Sequence, residues 1–380
     1  MAPHALCEDY IKCHSGRTGG LPRRDLILGA VRDTVSSTDL RVYFLLPFSG
    51  PMKPEKLAAK AKRVGLSKDD LEAGLRNLHQ EGFVLRYAKD GGQVYERAYI
   101  SFMIEQQVRR RRGTPLGAAY GEFWDALADV SRSLPTKTPY FRVLPVENTV
   151  TGGAQVDVGY SVPDARKVLP VDILSEMISK ESLIAISDCY CRLATENRGG
   201  HCDYPKETCF TFNELAQTLI DTDLARQVSV DEALELLQRA SDAGLIHNVD
   251  NCQGQLKAMC NCCPCCCPAV KGFMAGARNV DGAARFYASY DESACGACLT
   301  CVETCPVDAI EEVGGWPLFH LENCIGCGHC VTHCPDHALS MQPRPEPANI
   351  PVTNDALWSQ IRREAIVSMV LDKIPFLGSR

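Results

Sequence analysis

The sequence predicts an α+β multidomain protein on three observations. Helical periodicity followed by a strand–turn–strand pattern fills roughly residues 22–100, a strand-rich middle section carries two cysteine groups, and the last quarter carries a duplicated cysteine run. With 380 residues, of which 45% are hydrophobic, the chain can bury two or three cores. The expected divisions are an irregular arm at 1–20, an N-terminal domain at 21–113, a Cys-rich α/β central domain at 114–270, a C-terminal domain at 271–345, and a linker with a helix at 346–380.

Residues 1–20 hold Cys7, Cys13, His14 and several glycines without visible periodicity, and as a ligand set they are incomplete. A helix is expected at 54–65 and another from Ser67 to Gly82, where Ser67 and Asp70 form a capping box, Leu71, Leu75 and Leu78 share a face, and Gly82 ends the helix. A hairpin follows: FVLRY, the turn Lys89-Asp90-Gly91-Gly92, and VYERAYI. This order resembles a winged helix. Arg109, Arg110, Arg111 and Arg112 invite a DNA-binding reading, yet the would-be recognition helix sets Lys68 and Arg76 against Asp69, Asp70, Glu72 and Glu81, a poor match for phosphates. The same capped helix, glycine and strand recur at Ser229, Glu232, Leu234, Leu237 and Gly244. The expectation is a scaffold, no nucleic acid, and an arginine run that forms a solvated helix face or meets an acidic partner.

A linking helix is expected at 114–135, strands at 141–146 and 156–160, a helix over VLPVDILSEMISK, and a buried strand at 183–188. That strand ends at Cys189 and Cys191, where α/β units usually present chemistry. With Cys202 and Cys209 they make a set of four cysteines in 21 residues. His201 and Asp203 are candidate non-thiolate ligands, and Arg192 is a candidate donor to a ligand sulfur or to a neighbouring carbonyl. Further on, CNCCPCCCP packs Cys260, Cys262, Cys263, Cys265, Cys266 and Cys267 into eight residues. Cys260, Cys263 and Cys266 share a C-x2-C-x2-C register; adjacent cysteines generally point apart, so one centre cannot take all six.

The last quarter repeats C-x2-C-x2-C-x3-C-P: Cys295, Cys298, Cys301, Cys305 and Pro306, then Cys324, Cys327, Cys330, Cys334 and Pro335, with an offset of 29 residues. Each run wraps three thiolates around one face of a 4Fe-4S cubane, while its fourth cysteine ligates the other cluster. The implied sets are Cys295, Cys298, Cys301 and Cys334, and Cys324, Cys327, Cys330 and Cys305. Zinc knuckles share the C-x2-C element, but the third cysteine and the Cys-Pro in both copies favour iron and sulfide. The stretches around the two runs repeat as well, which implies pseudo-twofold halves that bury Ile310 and Leu339 equivalently. Residues 286–342 resemble the bacterial two-cluster ferredoxins, which implies a ferredoxin-like fold. The combination of DCYCR, CDYPKETCF, GLIHN and CNCCPCCC with this domain resembles winged-helix 4Fe-4S proteins of anaerobes. His329, His333 and His337, beside the second run, are expected to face solvent without chemistry.

Net charge is −7, and residues 286–343 carry eight acidic side chains with no Lys or Arg. Such a face steers a basic redox partner, or serves solubility alone. Cysteines in ligand spacing, a six-residue apolar stretch after Arg23-Arg24 that is short for a signal, and no membrane-length apolar run place the chain in the cytoplasm. No nucleotide-cradling or zinc-hydrolase motif occurs, although flavin stays open because many flavin sites leave no short signature.

The function read from the sequence is an electron-transfer protein or redox subunit, without catalysis of its own. It would relay single electrons through two ferredoxin clusters, and one or two more built on the upstream cysteines, to a partner oxidoreductase. The alternatives are a reductase or reductive activator working at an unusual central cluster, and a redox-sensing DNA-binding regulator. A C-terminal helix from Asn354 carries Leu357, Ile361, Ile366, Met369 and Val370 near helical spacing, with Arg362, Arg363 and Glu364 opposite. It is expected to cover a partner subunit or second copy, or to pack on its own chain.

Overall fold

The computed structural model describes residues 3–15, 22–47, 50–134, 136–150, 173–345 and 350–371. Two compact units emerge, Met1–Val130 with Ser182–Val228, and Ser131–Glu181 with Ser229–Arg380. The sheet and helices, with the C-terminal cysteine domain, make a mixed α/β multidomain protein.

The chain starts with α1 (Pro3–Ser15), which corrects the expected irregular arm. Leu6, Cys7, Tyr10 and Ile11 stand at i, i+1, i+4 and i+5, a buried helical stripe in which Tyr10 packs on the rings of Tyr43 and Phe83. The stripe is one turn and a half long, too short to stand out beside the glycines that follow. In α2 (Arg24–Thr34) Ile27, Ala30 and Val31 repeat that pattern, and α3 (Ser37–Tyr43) opens on a Ser36/Asp39 capping box. Pro54 begins α4 (Pro54–Arg63), where its missing N–H costs nothing. The expected capping box opens α5 (Lys68–Gln80), with Asp70 N–H donating to Ser67 Oγ at 3.0 Å and Ser67 N–H to Asp70 Oδ2 at 3.2 Å. Gly82 then takes φ 75°, which only glycine adopts without strain. Asp90 and Gly91, both at positive φ, turn β1 (Val84–Lys89) into β2 (Gly92–Arg97), the twist that two-residue hairpins require. Two helices, α6 (Ile100–Arg110) and α7 (Pro115–Ser133), follow.

After β3 (Phe141–Leu144), the expected strand at 156–160 and the start of the next helix lie outside the described residues; α8 (Leu174–Ile178) buries Leu174, Met177 and Ile178. In the first unit, β4 (Ile184–Asp188) is followed by α9 (Tyr190–Asn197), β5 (Glu207–Phe212), α10 (Asn213–Asp221) and β6 (Arg226–Val228). β4 pairs antiparallel with β5 and with β6; Ser187 stands opposite Cys209, and a bulge after it sets Asp188 opposite Glu207.

In the second unit, Ser229 caps α11 (Val230–Asp242), Gly244 takes φ 78°, and β7 (Ile246–Asp250) runs antiparallel to β8 (Ala258–Cys262) and to β3. α12 (Pro268–Met274) precedes β9 (Asp281–Gly282), which lies parallel to β3. The C-terminal cysteine region is built from β10 (Phe286–Tyr290), α13 (Thr300–Thr304), the hairpin β11 (Ile310–Val313) to β12 (Trp316–Phe319), α14 (His329–Thr332) and β13 (Leu339–Pro343), which pairs with β10. Ile310 and Leu339 are both buried in one apolar cluster there, as the repeat implies.

The last helix, α15 (Asn354–Leu371), is capped by Thr353 rather than Asn354: Ala356 N–H donates to Thr353 Oγ1 at 3.1 Å. Leu357 and Ile361 are buried, Trp358 stacks on Tyr140 at 5.6 Å, and Glu364 accepts the backbone N–H groups of Lys137 and Thr138, both at 2.8 Å. Its first half therefore packs on its own unit, with Glu364 engaged rather than solvated. Ile366 and Val367 stay exposed. No described helix is long and apolar enough to cross a membrane.

Candidate metal centres

In the C-terminal region short helices and glycine turns hold the cysteines. Gly326 takes φ 77°, and any Cβ there would meet Phe286 O at 2.3 Å, so glycine alone lets the second run approach β10. Cys305, Cys324, Cys327 and Cys330 line one cavity of about 400 Å³, open solvent included, together with Val307, Ile310, Phe319 and Ile325. Cys305 comes from the first run and the other three from the second. Burial pushes the Cys327 thiol up to about 12, and the neighbouring Cys305 and Cys324 add to it; Cys330 is pushed well above its ordinary value by burial, then by Cys327, Cys324 and Cys305. A metal ion that binds such thiols displaces their protons to solvent, so metal loading is coupled to proton release. Burial raises the Cys301 thiol, with smaller contributions from the neighbouring Cys295 and Cys298, and Cys301 packs in the same apolar cluster as Cys334. Backbone N–H groups of Ala297 and Ala309 donate to Cys295 Sγ at 3.3 Å and Cys305 Sγ at 3.2 Å, bonds that stabilise electron-rich sulfur.

His329 corrects the solvent-facing expectation. It is buried, its Nε2 lies 3.0 Å from Leu245 O, and burial lowers its pKa. It opens α14, whose buried residues are His329 and Cys330. His333 and His337 are exposed as expected.

In the first unit, Cys189 caps α9, Cys191 lies in its first turn, and Cys209 sits on β5 beside the end of β4. Cys191, Cys202 and Cys209 are buried. Arg109 overturns the solvated-face expectation: it shares the buried face of α6 with Phe102 and Gln106, and donates through Nε to Asp188 O at 2.9 Å and through Nη2 to Cys209 Sγ at 3.2 Å. Burial opposes its charge, but Cys209, Glu105, Tyr190 and Cys189 outweigh it and hold the guanidinium above its ordinary value. The other three arginines are also engaged, Arg110 with Thr222 O, Arg111 with Glu81, and Arg112 with Asp188 and Glu196. Arg192 donates to Pro205 O at 2.8 Å and Thr208 Oγ1 at 2.6 Å, the carbonyl-capping alternative. His201 and Asp203 hydrogen-bond to each other at 2.8 Å on the surface. The spacing of Phe102, Gln106 and Arg109, at i, i+4 and i+7, was the available signal for a buried arginine.

The CNCCPCCC segment divides differently from its C-x2-C-x2-C register. Because β8 runs through Cys262, its period is two, and Cys260 and Cys262 fall on one side of the sheet. Hydrogen bonds to Cys260 and to Cys267, then burial, push the Cys262 thiol well above its ordinary range. Cys263, Cys265 and Cys266 form a second set with sulfurs within 4.8 Å of one another. Neighbours point apart at Cys262/Cys263 and Cys266/Cys267, but Cys265 and Cys266 converge to 3.7 Å because a turn joins them. Beside the first set lies Asp281, which sequence reading missed. Burial, then Cys267, pushes its carboxyl well up.

Comparison with known proteins fits the C-terminal geometry. Residues 287–335 match the family model of the 4Fe-4S dicluster domain. The delta subunit of NADH-dependent phenylglyoxylate dehydrogenase of Aromatoleum evansii is 42% identical over 45 residues, 12% of this chain and 48% of that protein. An uncharacterized ferredoxin of Methanocaldococcus jannaschii is 44% identical over 46 residues, and the ferredoxin-type protein NapF of Haemophilus influenzae 43% over 49, each 12% of this chain and 28% of the relative. The chain thus spans less than half the length of these curated relatives. No solved structure matches. The four thiols that converge on one cavity and the matched model lead to one conclusion: the C-terminal part of this chain is a ferredoxin-type 4Fe-4S dicluster domain, a module for electron transfer.

Proposed function

We propose that the chain is an electron-transfer protein or redox subunit that relays single electrons through two clusters, one on Cys295, Cys298, Cys301 and Cys334, the other on Cys324, Cys327, Cys330 and Cys305. The observation that carries this reading is the cavity where Cys305 meets the second run. Bound there, a 4Fe-4S cubane would accept or release one electron at a time. The chain's own part is to hold the thiolates, keep water from the buried set with Val307, Ile310 and Ile325, and donate N–H bonds to sulfur. Further iron on the central cysteines would extend the relay towards a partner oxidoreductase. The similarity to a dehydrogenase subunit supports a place in such a complex.

The N-terminal part acts in this proposal as a winged-helix scaffold, with domains divided near 21–113, 114–270 and 271–345, in a cytoplasmic protein. Met52 bridges to Tyr95 just before α4, the short third strand that a winged helix places there. A regulator that reads DNA is disfavoured, since the arginines at 109–112 are engaged within the fold. The partner's docking face is basic, opposite the exposed Glu311, Glu312 and Glu322.

Anoxic purification with iron and acid-labile sulfide counts tests the reading. Two ferredoxin clusters require about eight irons per chain, and central clusters require more. Fewer than eight irons with matching zinc would remove the ferredoxin assignment; eight irons alone would remove only the central clusters.

A further inference from the structure

We infer that Asp281 supplies the carboxylate donor of a metal centre whose thiolate donors are Cys260, Cys262 and Cys267. The inference rests on the proposed reading that the central cysteines hold iron and sulfide, and adds a ligand outside every cysteine motif.

β8 delivers Cys260 and Cys262 to one side of the sheet, and Cys267 returns to them at the start of α12, where Pro268 occupies the first helical position. The three pack together with Val143, Ile246, Val270 and Phe273. Asp281 arrives on β9, held by parallel pairing to Phe141 on β3. Its side chain is wholly buried. One carboxyl oxygen accepts from Asn248 Nδ2 at 2.8 Å, and Asn248 itself stands opposite Cys260 in the β7–β8 register. The other oxygen, Oδ2, has no hydrogen-bond partner among the described residues, and neither has Asn248 Oδ1.

A buried carboxyl with an unsatisfied oxygen is costly, and placing it next to thiols that must ionise to bind metal makes the cost greater. A metal cation between them reverses the balance, because carboxylate and thiolates then share one positive neighbour. The donor set also predicts behaviour. Oxygen is a harder donor than sulfur and holds iron less firmly in a sulfide cluster, so the iron on Asp281 is the one that departs on oxidation. With ferricyanide as oxidant, [4Fe-4S]2+ gives [3Fe-4S]+, Fe2+ and one electron; the electron goes to ferricyanide, and the carboxylate is freed as the iron leaves.

The test uses the full chain, prepared anoxically as wild type, Asp281→Cys and Asp281→Asn. Iron, sulfide and zinc are counted, and electron paramagnetic resonance spectra are taken after ferricyanide. The reduced signal of the ferredoxin clusters, which lie in the same unit, reports folding in each sample. The expected result is a three-iron signal in the oxidised wild type that is abolished in Asp281→Cys, which keeps its fourth iron, and a loss of cluster iron from Asp281→Asn even before oxidation. Extra iron with the same oxidised spectrum in all three proteins would overturn Asp281 as a donor and leave the central cluster standing. Wild-type iron no greater than the ferredoxin domain requires, with or without zinc, would overturn the central cluster itself.

Discussion

Arg109 Nη2 donates to Cys209 Sγ at 3.2 Å across 100 residues of sequence, inside a unit that leaves neither group exposed. The guanidinium is planar and always charged, and it reaches Asp188 O and the sulfur from two different nitrogens of one rigid fork, whereas an ammonium offers its donors from a single atom. Arg109→Lys is expected to cost about 2 kcal/mol, and the coupling to Cys209→Ala in a double-mutant cycle should be about the same. Urea melts of the single and double variants measure it. Additive losses would mean the contact contributes nothing.

The proposed crossed ligation separates two variants that look alike in sequence. Cys305→Ala is expected to disturb the centre on Cys324, Cys327 and Cys330, whose cavity Cys305 lines, while Cys334→Ala disturbs the centre on Cys295, Cys298 and Cys301. Paramagnetic resonance of the reduced proteins distinguishes the two; a loss that follows sequence neighbourhood would refute the assignment.

Asp250 makes stability depend on pH. Burial raises its carboxyl to about 6, although the N–H groups of Lys257 and Ala258 work the other way. A carboxyl raised on folding binds its proton more tightly in the native state, so its contribution is complete below the ordinary value near 4 and is lost as pH rises through 6. Asp250→Asn should flatten the melting profile between pH 4 and 6, within which the wild type loses stability from this group. An unchanged slope would show that another group dominates.

The C-terminal helix has two halves with different expected roles. Leu357→Ala should cost roughly 2–4 kcal/mol, since Leu357 is buried on its own unit. Replacing Ile366 and Val367 by Asp should leave the melting temperature unchanged but reduce oligomer mass or partner recovery, because both are exposed. Light scattering with unchanged mass and partner recovery would leave this end without an interface role.

Much of this architecture was legible in short stretches. The Ser67/Asp70 box, the Asp90-Gly91 turn and the Cys-Pro repeat each join residues a few positions apart, so local sterics and hydrogen bonding suffice to specify them. The helix α1 escaped because its apolar stripe is short, and its stability comes from Tyr43 and Phe83, which arrive later in the chain.

By itself, the sequence determined that eight thiols in 4Fe-4S ligand spacing stand in the last quarter, because cluster ligation depends on spacing along a loop. Only the tertiary structure decided that Cys260 and Cys262 join Cys267 instead of following the C-x2-C register, that Arg109 is buried against Cys209, and that Asp281 lies among thiols. The reason is physical: strand period and strand pairing choose which side chains meet, and pairing brings together residues tens of positions apart that no local spacing relates.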